Sequence, residues 1–294
     1  MLTRNQLGLL YMFLSVCAFS VMDLIVKWSQ EYPTGEVLFF RGLFGLLPNF
    51  FLIPKNKFRN FYKTDRKFEH FLRCSCGSIA LVAIVIALRE LPLATVVSLS
   101  YAAPLFITVL SIFMLGEKVR MTRWTAVAIG FIGVIIISKP GFEQMNYYYL
   151  LPLIFCFCMA FVTITIRRLS TTEPIWLISF FFSLSVTLLS LITIPFGWIL
   201  PSMSDFILLS FMGITGGAAN LLLTQSYKLS EVSLVAPLKY LSLLFAIFFG
   251  YLIWTEIPSY KTLIGSILVI FSSIIILRRE LYFKQKILST IRHD

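Results

Sequence analysis

Hydrophobic residues in this chain run in blocks of about twenty, parted by short polar stretches. Blocks of that length suit α-helices that cross a bilayer core at about 1.5 Å per residue. The pattern predicts ten spans, at about 6–27, 34–53, 70–89, 93–115, 121–138, 146–166, 175–197, 205–226, 231–254 and 260–277. Connections are short except for 54–69 and the tail at 278–294. One block departs from a plain lipid-facing helix. From Val232 to Trp254 it is 23 residues long, yet it carries Pro237, Lys239 and Tyr240 near its middle. A lysine at that depth costs at least ~2.5 kcal/mol on insertion scales, so it should face protein or water. Pro237 also frees the Ser233 carbonyl, which then needs a partner inside a cavity. The block reads either as a wall of a polar route or as a helix with one neutralised or snorkelling lysine.

Composition supports the bilayer. Hydrophobic residues make up 58% of the 294 and charged residues 13%, about half the charged share of a soluble domain. A net charge of +11 raises the question of nucleic acid. The distribution excludes it, because the basic residues sit between apolar spans and form no basic, aromatic-interleaved module. Of the 25 Lys and Arg, 19 fall on the side of the N-terminus and 4 on the other, with Arg41 and Lys239 inside spans. Both termini are therefore expected in the cytoplasm, with the protein multi-pass in the cell inner membrane. The basic 55–73 stretch doubles as a contact for anionic lipid heads. The first apolar run carries Asp23 and Lys27 at its end and no small-residue cleavage site, so it is expected to remain as the first span.

Candidate metal and catalytic chemistry is thin. Cys17, Cys74, Cys76, Cys156 and Cys158 include two C-x-C pairs. Residues two apart on a helix point about 200° from each other, so neither pair chelates, and packing is their expected role. His70 and His293 are placed outside the spans, which leaves no histidine-ligated metal or histidine relay in the membrane. No H-E-x-x-H, G-x-S-x-G or paired intramembrane aspartates occur, so no enzyme and no cofactor is expected.

The chain also repeats itself. A shift of 139 superposes Tyr101 on Tyr240, Glu117 on Glu256, Arg89 on Lys228 and Gly77 on Gly216. A shift of 141 superposes Cys17 on Cys158, Lys27 on Arg168, Ser29 on Ser170, Pro33 on Pro174 and Pro54 on Pro195. The matches divide the chain into 6–138, 146–277 and a basic tail at 278–294. Five spans per half is odd, so the halves enter the membrane in opposite directions. The expected fold class is an all-α polytopic membrane protein of ten helices in two inverted-topology five-helix repeats, an organisation used by many secondary transporters.

Three segments carry a resemblance: PTGEVLFFRGLFGLLP (33–48), LPLATVVSLSYAAPLFITVLSIFMLGEKV (91–119) with WTAVAIGFIGVIII behind it, and a weaker second copy at 229–277. In order, spacing and duplication they resemble the EamA-type members of the drug/metabolite transporter superfamily over essentially all of 6–279. The resemblance implies a ten-helix secondary carrier of small organic solutes with a central cavity and no ATP hydrolysis. The AP-x-K-Y-L pattern at 236–241 looks most like the S-adenosylmethionine uptake carriers of intracellular bacteria. Other members of this type move amino acids or riboflavin. The expected partners are a small-molecule substrate and the lipid bilayer, and a homo-oligomer is compatible with both.

Seven residues are candidates for substrate contact. Glu36 and Arg41 lie about 140° apart on one helix and do not stack as an i,i+4 pair. Arg41 lies deep enough to need a carboxylate, carbonyls or water, and Asp23 and Glu36 are the acidic candidates toward the outer half. The three form either a structural lock between the first two helices or an outer gate and carboxylate clamp. Lys239 is the candidate for an anionic group. Tyr101 and Tyr240 offer hydroxyls and ring faces that attract a sulfonium or ammonium cation, or they simply pack. Lys239 and Tyr240 point about 100° apart, so at most one faces a cavity fully. In the eighth span, Gly213, Gly216 and Gly217 are expected to allow close helix approach, and Asn220 is the cavity hydrogen-bond candidate. Glu117 and Glu256 are expected to cap the helices that follow them. Pro104 is expected to bend the fourth span differently from Pro237 in the ninth.

Overall fold

The computed structural model describes residues 4–51, 64, 66–103, 105–107, 109–110, 121–138, 146–169, 172–229, 236–272 and 274–275. Pro104, Glu117, Ser233, His293, most of the basic 54–69 stretch and the tail lie outside the described residues. The principal elements are α1 (Arg4–Trp28), α2 (Thr34–Phe50), α3 (Lys67–Glu90), α4 (Leu93–Ser100), α5 (Met121–Ser138), α6 (Leu150–Leu169), α7 (Ile175–Leu191), α8 (Met203–Leu229), α9 (Leu241–Trp254) and α10 (Tyr260–Ser272). There is no strand among the described residues.

Among the described residues, four stretches are long and apolar enough to cross a bilayer: Gln6–Trp28, Lys67–Glu90, Tyr147–Ile166 and Met203–Ser226. Large apolar side chains such as Phe51, Phe68, Phe196, Leu200, Met203 and Ile257 stand largely exposed. Water does not tolerate so much open apolar surface, whereas lipid does. The fold is a polytopic helical membrane protein.

Small residues set the helix neighbours. A Cβ at Gly213 would overlap the Phe40 carbonyl, and one at Gly217 would sit 2.7 Å from the Gly45 carbonyl. So α2 and α8 run in the same direction with their backbones nearly touching, as small-residue packing allows. On its other face α2 meets α7 in the opposite sense. Gly42 approaches Thr187, and Gly45 lies 3.6 Å (as Cβ) from Ser183 Oγ. The α1/α8 pair is antiparallel and pinned at two levels: Ser15 Oγ donates to the Ala219 carbonyl and Ser226 Oγ to the Gly8 carbonyl, both at 2.8 Å.

Three contacts involve positions related by the shift of 139. Tyr101 and Tyr240, equivalent under the shift of 139, stack edge to face with ring centroids 5.1 Å apart. In the α5/α10 pair, Ser272 Oγ donates to the Ala126 carbonyl at 2.5 Å, while Gly133 and Gly265 face each other's carbonyls. A shift of 139 exchanges those two levels, taking Ala126 to Gly265 and Gly133 to Ser272.

Two predicted spans are interrupted. The fourth, expected over 93–115, stops being an α-helix at Ser100, turns at Tyr101–Ala102 and is helical again from Ala103. Pro104 has no N–H to donate to the Ser100 carbonyl four residues back, and its ring would clash with that carbonyl, so the α-helix stops at Ser100. The ninth, expected over 231–254, is a 3-10 turn over Ala236–Tyr240 before α9 begins. Its proline lacks the N–H that an α-helix would use there. The seventh ends at Leu191 rather than 197, where Gly197 takes a left-handed φ of 90°.

Candidate substrate site

The candidate site lies along α1 and α2 and at the interrupted ninth span, whose 3-10 turn packs on α1. Asp23 projects from α1 and Arg41 from α2, and their charges act on each other. They do so without closing an ion pair within 4 Å, since the pairs at that distance among the described residues are Lys27–Glu256, Arg66–Glu69 and His70–Glu173. The Asp23 charge also reaches the Tyr101 hydroxyl. Arg41 Nη1 lies against Met22 Sδ. A Cβ at Gly216 would overlap that same Nη1. Thus Gly216 is the residue that lets the guanidinium lie across α8.

A narrow crevice runs beside Arg41, lined among others by Gly45, Phe182, Ser183, Gly216 and Asn220. Its free space holds about one water. Asn220 is therefore in the same cavity as Arg41, one helical turn from Gly216. Tyr101 belongs to the interrupted fourth span and bonds to the ninth. Its hydroxyl donates to the Lys239 carbonyl at 3.1 Å and is 2.5 Å from Ser242 Oγ. Lys239 thus enters the site through its backbone carbonyl, which also accepts from Ser242 Oγ at 2.8 Å. Its side chain is half-buried. Tyr240 contributes its ring to the Tyr101 stack.

Glu36 does not join this cluster. It is only 1% exposed, and its Oε2 accepts from the Ile199 backbone N–H at 3.0 Å, tying α2 to the segment after α7. The angular separation from Arg41 along α2 turns it toward another neighbour. Glu256 also departs from expectation. Its Oε2 accepts from the Leu93 N–H at 2.9 Å, so it caps α4 rather than the helix that follows it. Its Oε1 closes a 2.6 Å ion pair with Lys27, which is 3% exposed and donates to the Leu91 carbonyl at 2.7 Å. Lys27 also lies over the Trp254 ring at 5.4 Å. At this end of the bundle, where α1 finishes, Tyr32 also donates to Asp205 Oδ2 at 2.8 Å. That hydrogen bond holds the Tyr32 phenol above its ordinary value.

The other end carries a second polar group. His70, expected outside the spans, is on α3, 5% exposed and paired with Glu173. Thr64 shares Glu173, and Arg66 Nη1 donates to the Arg168 carbonyl at 2.6 Å. Sequence reasoning missed Met22, Ser242 and this cluster. A hydroxyl two residues after Tyr240 was the available signal for Ser242; Met22 offers none.

The sequence model of the EamA-like transporter family matches residues 6–139 and 146–278. This chain belongs to the EamA-like transporter family. The EamA-like transporter is 28% identical over 277 residues to the S-adenosylmethionine uptake transporter of Rickettsia conorii, covering 93% of each chain. It is 27% identical over 283 residues to the protein of that name from Rickettsia bellii, covering 95% of this chain and 96% of the relative. It is also 26% identical over 286 residues to the pseudopaline exporter of Pseudomonas aeruginosa, covering 93% and 96%. A crystal structure superposes with a TM-score of 0.64 at 19% identity, over 93% of this chain and 98% of that one, a likeness of fold. The family and its relatives are transporters rather than enzymes. The EamA-like transporter is therefore a multi-pass membrane protein that moves a small molecule.

Proposed function

We propose that this EamA-like transporter is a secondary carrier of S-adenosylmethionine or a similar amino-acid-like solute, working by alternating access. The observation that carries the reading is the unclosed Asp23–Arg41 pair beside the Tyr101–Tyr240 stack. A zwitterionic solute supplies what that pair lacks. Its carboxylate complements the Arg41 guanidinium, whose planar fork suits two oxygens. Its cationic ammonium or sulfonium suits Asp23 and the tyrosine faces. Asn220 adds a hydrogen bond from the crevice wall, and the Lys239 ammonium serves as a second carboxylate partner when the 3-10 turn moves.

We place these residues in ten spans arranged as two inverted five-helix repeats, 6–138 and 146–277, with both termini and the 278–294 tail cytoplasmic in the inner membrane. The reciprocal α5/α10 contacts and the self-equivalent Tyr101–Tyr240 stack support that arrangement. A second reading within the family is export of an amino-acid-like metabolite, favoured by the likeness to the pseudopaline exporter.

Counterflow tests both. Proteoliposomes preloaded with unlabelled S-adenosylmethionine are expected to accumulate the labelled compound, with amino acids and riboflavin competing poorly. Accumulation blocked instead by amino acids replaces the substrate. No flux of any solute through folded protein makes it a non-transporting assembly protein.

A further inference from the structure

Arg73 is a buried cation that the site described above does not use. It stands on α3, about 9 Å in from Lys67, and is 8% exposed. No ion pair within 4 Å includes it among the described residues, and its Nε and Nη1 have no hydrogen-bond partner. Its guanidinium carbon lies 4.0 Å from the Phe182 ring centroid, a stack that attracts the cation without neutralising it. A Cβ at Gly77 would sit 2.7 Å from Arg73 Nη1 and 2.8 Å from Phe182 Cε2, so Gly77 makes room for the stack. Leaving such a group uncompensated is strongly destabilising. Packing alone would favour an uncharged residue there.

Phe182 links Arg73 to the crevice described above. Phe182 lines the crevice that contains Arg41. Phe182 thus stacks on the buried Arg73 guanidinium and lines the same crevice as the half-buried Arg41, with Arg73 one turn from the His70 that pairs with Glu173. One turn before Arg73, the His70 Nδ1 is likewise buried without a partner.

We propose that Arg73 is a second anion subsite, reached past Phe182 from the Arg41 crevice, that takes the carboxylate of the solute on its way to or from the His70–Glu173 end. The site is argued from packing; its ligand rests on the carrier reading. Rotation of the Phe182 ring hands the carboxylate from one guanidinium to the other, so the anion is never left without a countercharge. Opening of the His70–Glu173 contact then completes the route.

The test separates site from ligand. Melting temperatures of the purified full chain are measured in sodium acetate and in sodium chloride at equal ionic strength, for the wild type, Arg73→Met and Gly77→Ala. Acetate is expected to raise the wild-type midpoint by several degrees and to have little effect on Arg73→Met. Without acetate, Arg73→Met is expected to melt above the wild type, because an unpaired buried charge has gone. Gly77→Ala keeps the charge but crowds the stack, and is expected to weaken the acetate response. A wild type indifferent to acetate, an equal shift in Arg73→Met, or a lower midpoint for Arg73→Met overturns the proposal. Stabilisation by phosphatidylglycerol but not by acetate also overturns it, since Arg73 then holds a lipid headgroup. In counterflow, Arg73→Met is expected to raise half-saturation for S-adenosylmethionine about tenfold and to leave its decarboxylated analogue unchanged. If the acetate response holds while the wild type shows no counterflow, the subsite stands and the carrier reading falls.

Discussion

Two acidic–basic pairs hang on the last turns of α1, four residues apart, and they are built differently. Lys27 is closed onto Glu256 at 2.6 Å, with the Leu91 carbonyl and the Trp254 ring completing its shell. Asp23 acts on Arg41 across a gap wider than 4 Å and also on Tyr101, and the guanidinium rests against a methionine sulfur. The first pair leaves no place for a third party. The second is short of partners on both sides, which in a low-dielectric interior is tolerable only if something else supplies them. On the proposed carrier reading, saturation marks the structural pair and deficiency the binding one.

That contrast can be broken by mutation. The largest effect is expected for Arg41→Gln, which should reduce counterflow by about two orders of magnitude, matching the loss of a charged contact of roughly 3 kcal/mol. The same protein should still run as a monodisperse peak with an unchanged or higher melting temperature. Lys27→Ala should do the reverse: a loss of roughly 3 kcal/mol of stability, as Glu256 is left without its cation, read as a clear fall in melting temperature with solute affinity retained. If both variants lose transport and stability alike, the distinction is void. Asp23→Asn should weaken uptake of a cationic zwitterion by about tenfold and affect a neutral analogue much less. Glu36→Gln should cost about 1–2 kcal/mol of stability through its weakened bond to Ile199, with counterflow nearly intact; a transport loss equal to that of Asp23→Asn would return Glu36 to the site. The smallest effect is expected for Tyr101→Phe, which removes only the hydroxyl held by Ser242 and the Lys239 carbonyl. A few-fold rise in half-saturation, measured by counterflow, is the expected reading.

Most of the candidate site was legible in the sequence for one reason. A bilayer makes every intramembrane charge conspicuous, so Asp23, Arg41 and Lys239 stood out without any knowledge of their neighbours. The repeat paired Tyr101 with Tyr240, and the structure stacks them. Reasoning along a single helix failed for Glu36, because five residues of spacing fix an angle but not which helix fills that direction. It failed for Glu256 in the same way: the residue faces the start of α4, more than 160 positions away, instead of its own successor. His70 was misplaced because a polar residue at a span's edge looks solvated until its partner Glu173 is brought to it.

The sequence alone determined the apolar blocks, the charge asymmetry between them, the family and the short roster of buried charges, since each follows from local composition and the bilayer's thickness. Only the tertiary structure decided which charges are satisfied. Saturation depends on where glycines such as Gly213, Gly216 and Gly217 let helices approach, and on which backbone N–H or carbonyl the approach leaves beside each charge. Contacts between residues far apart in the chain settle that, and no window along the sequence contains them.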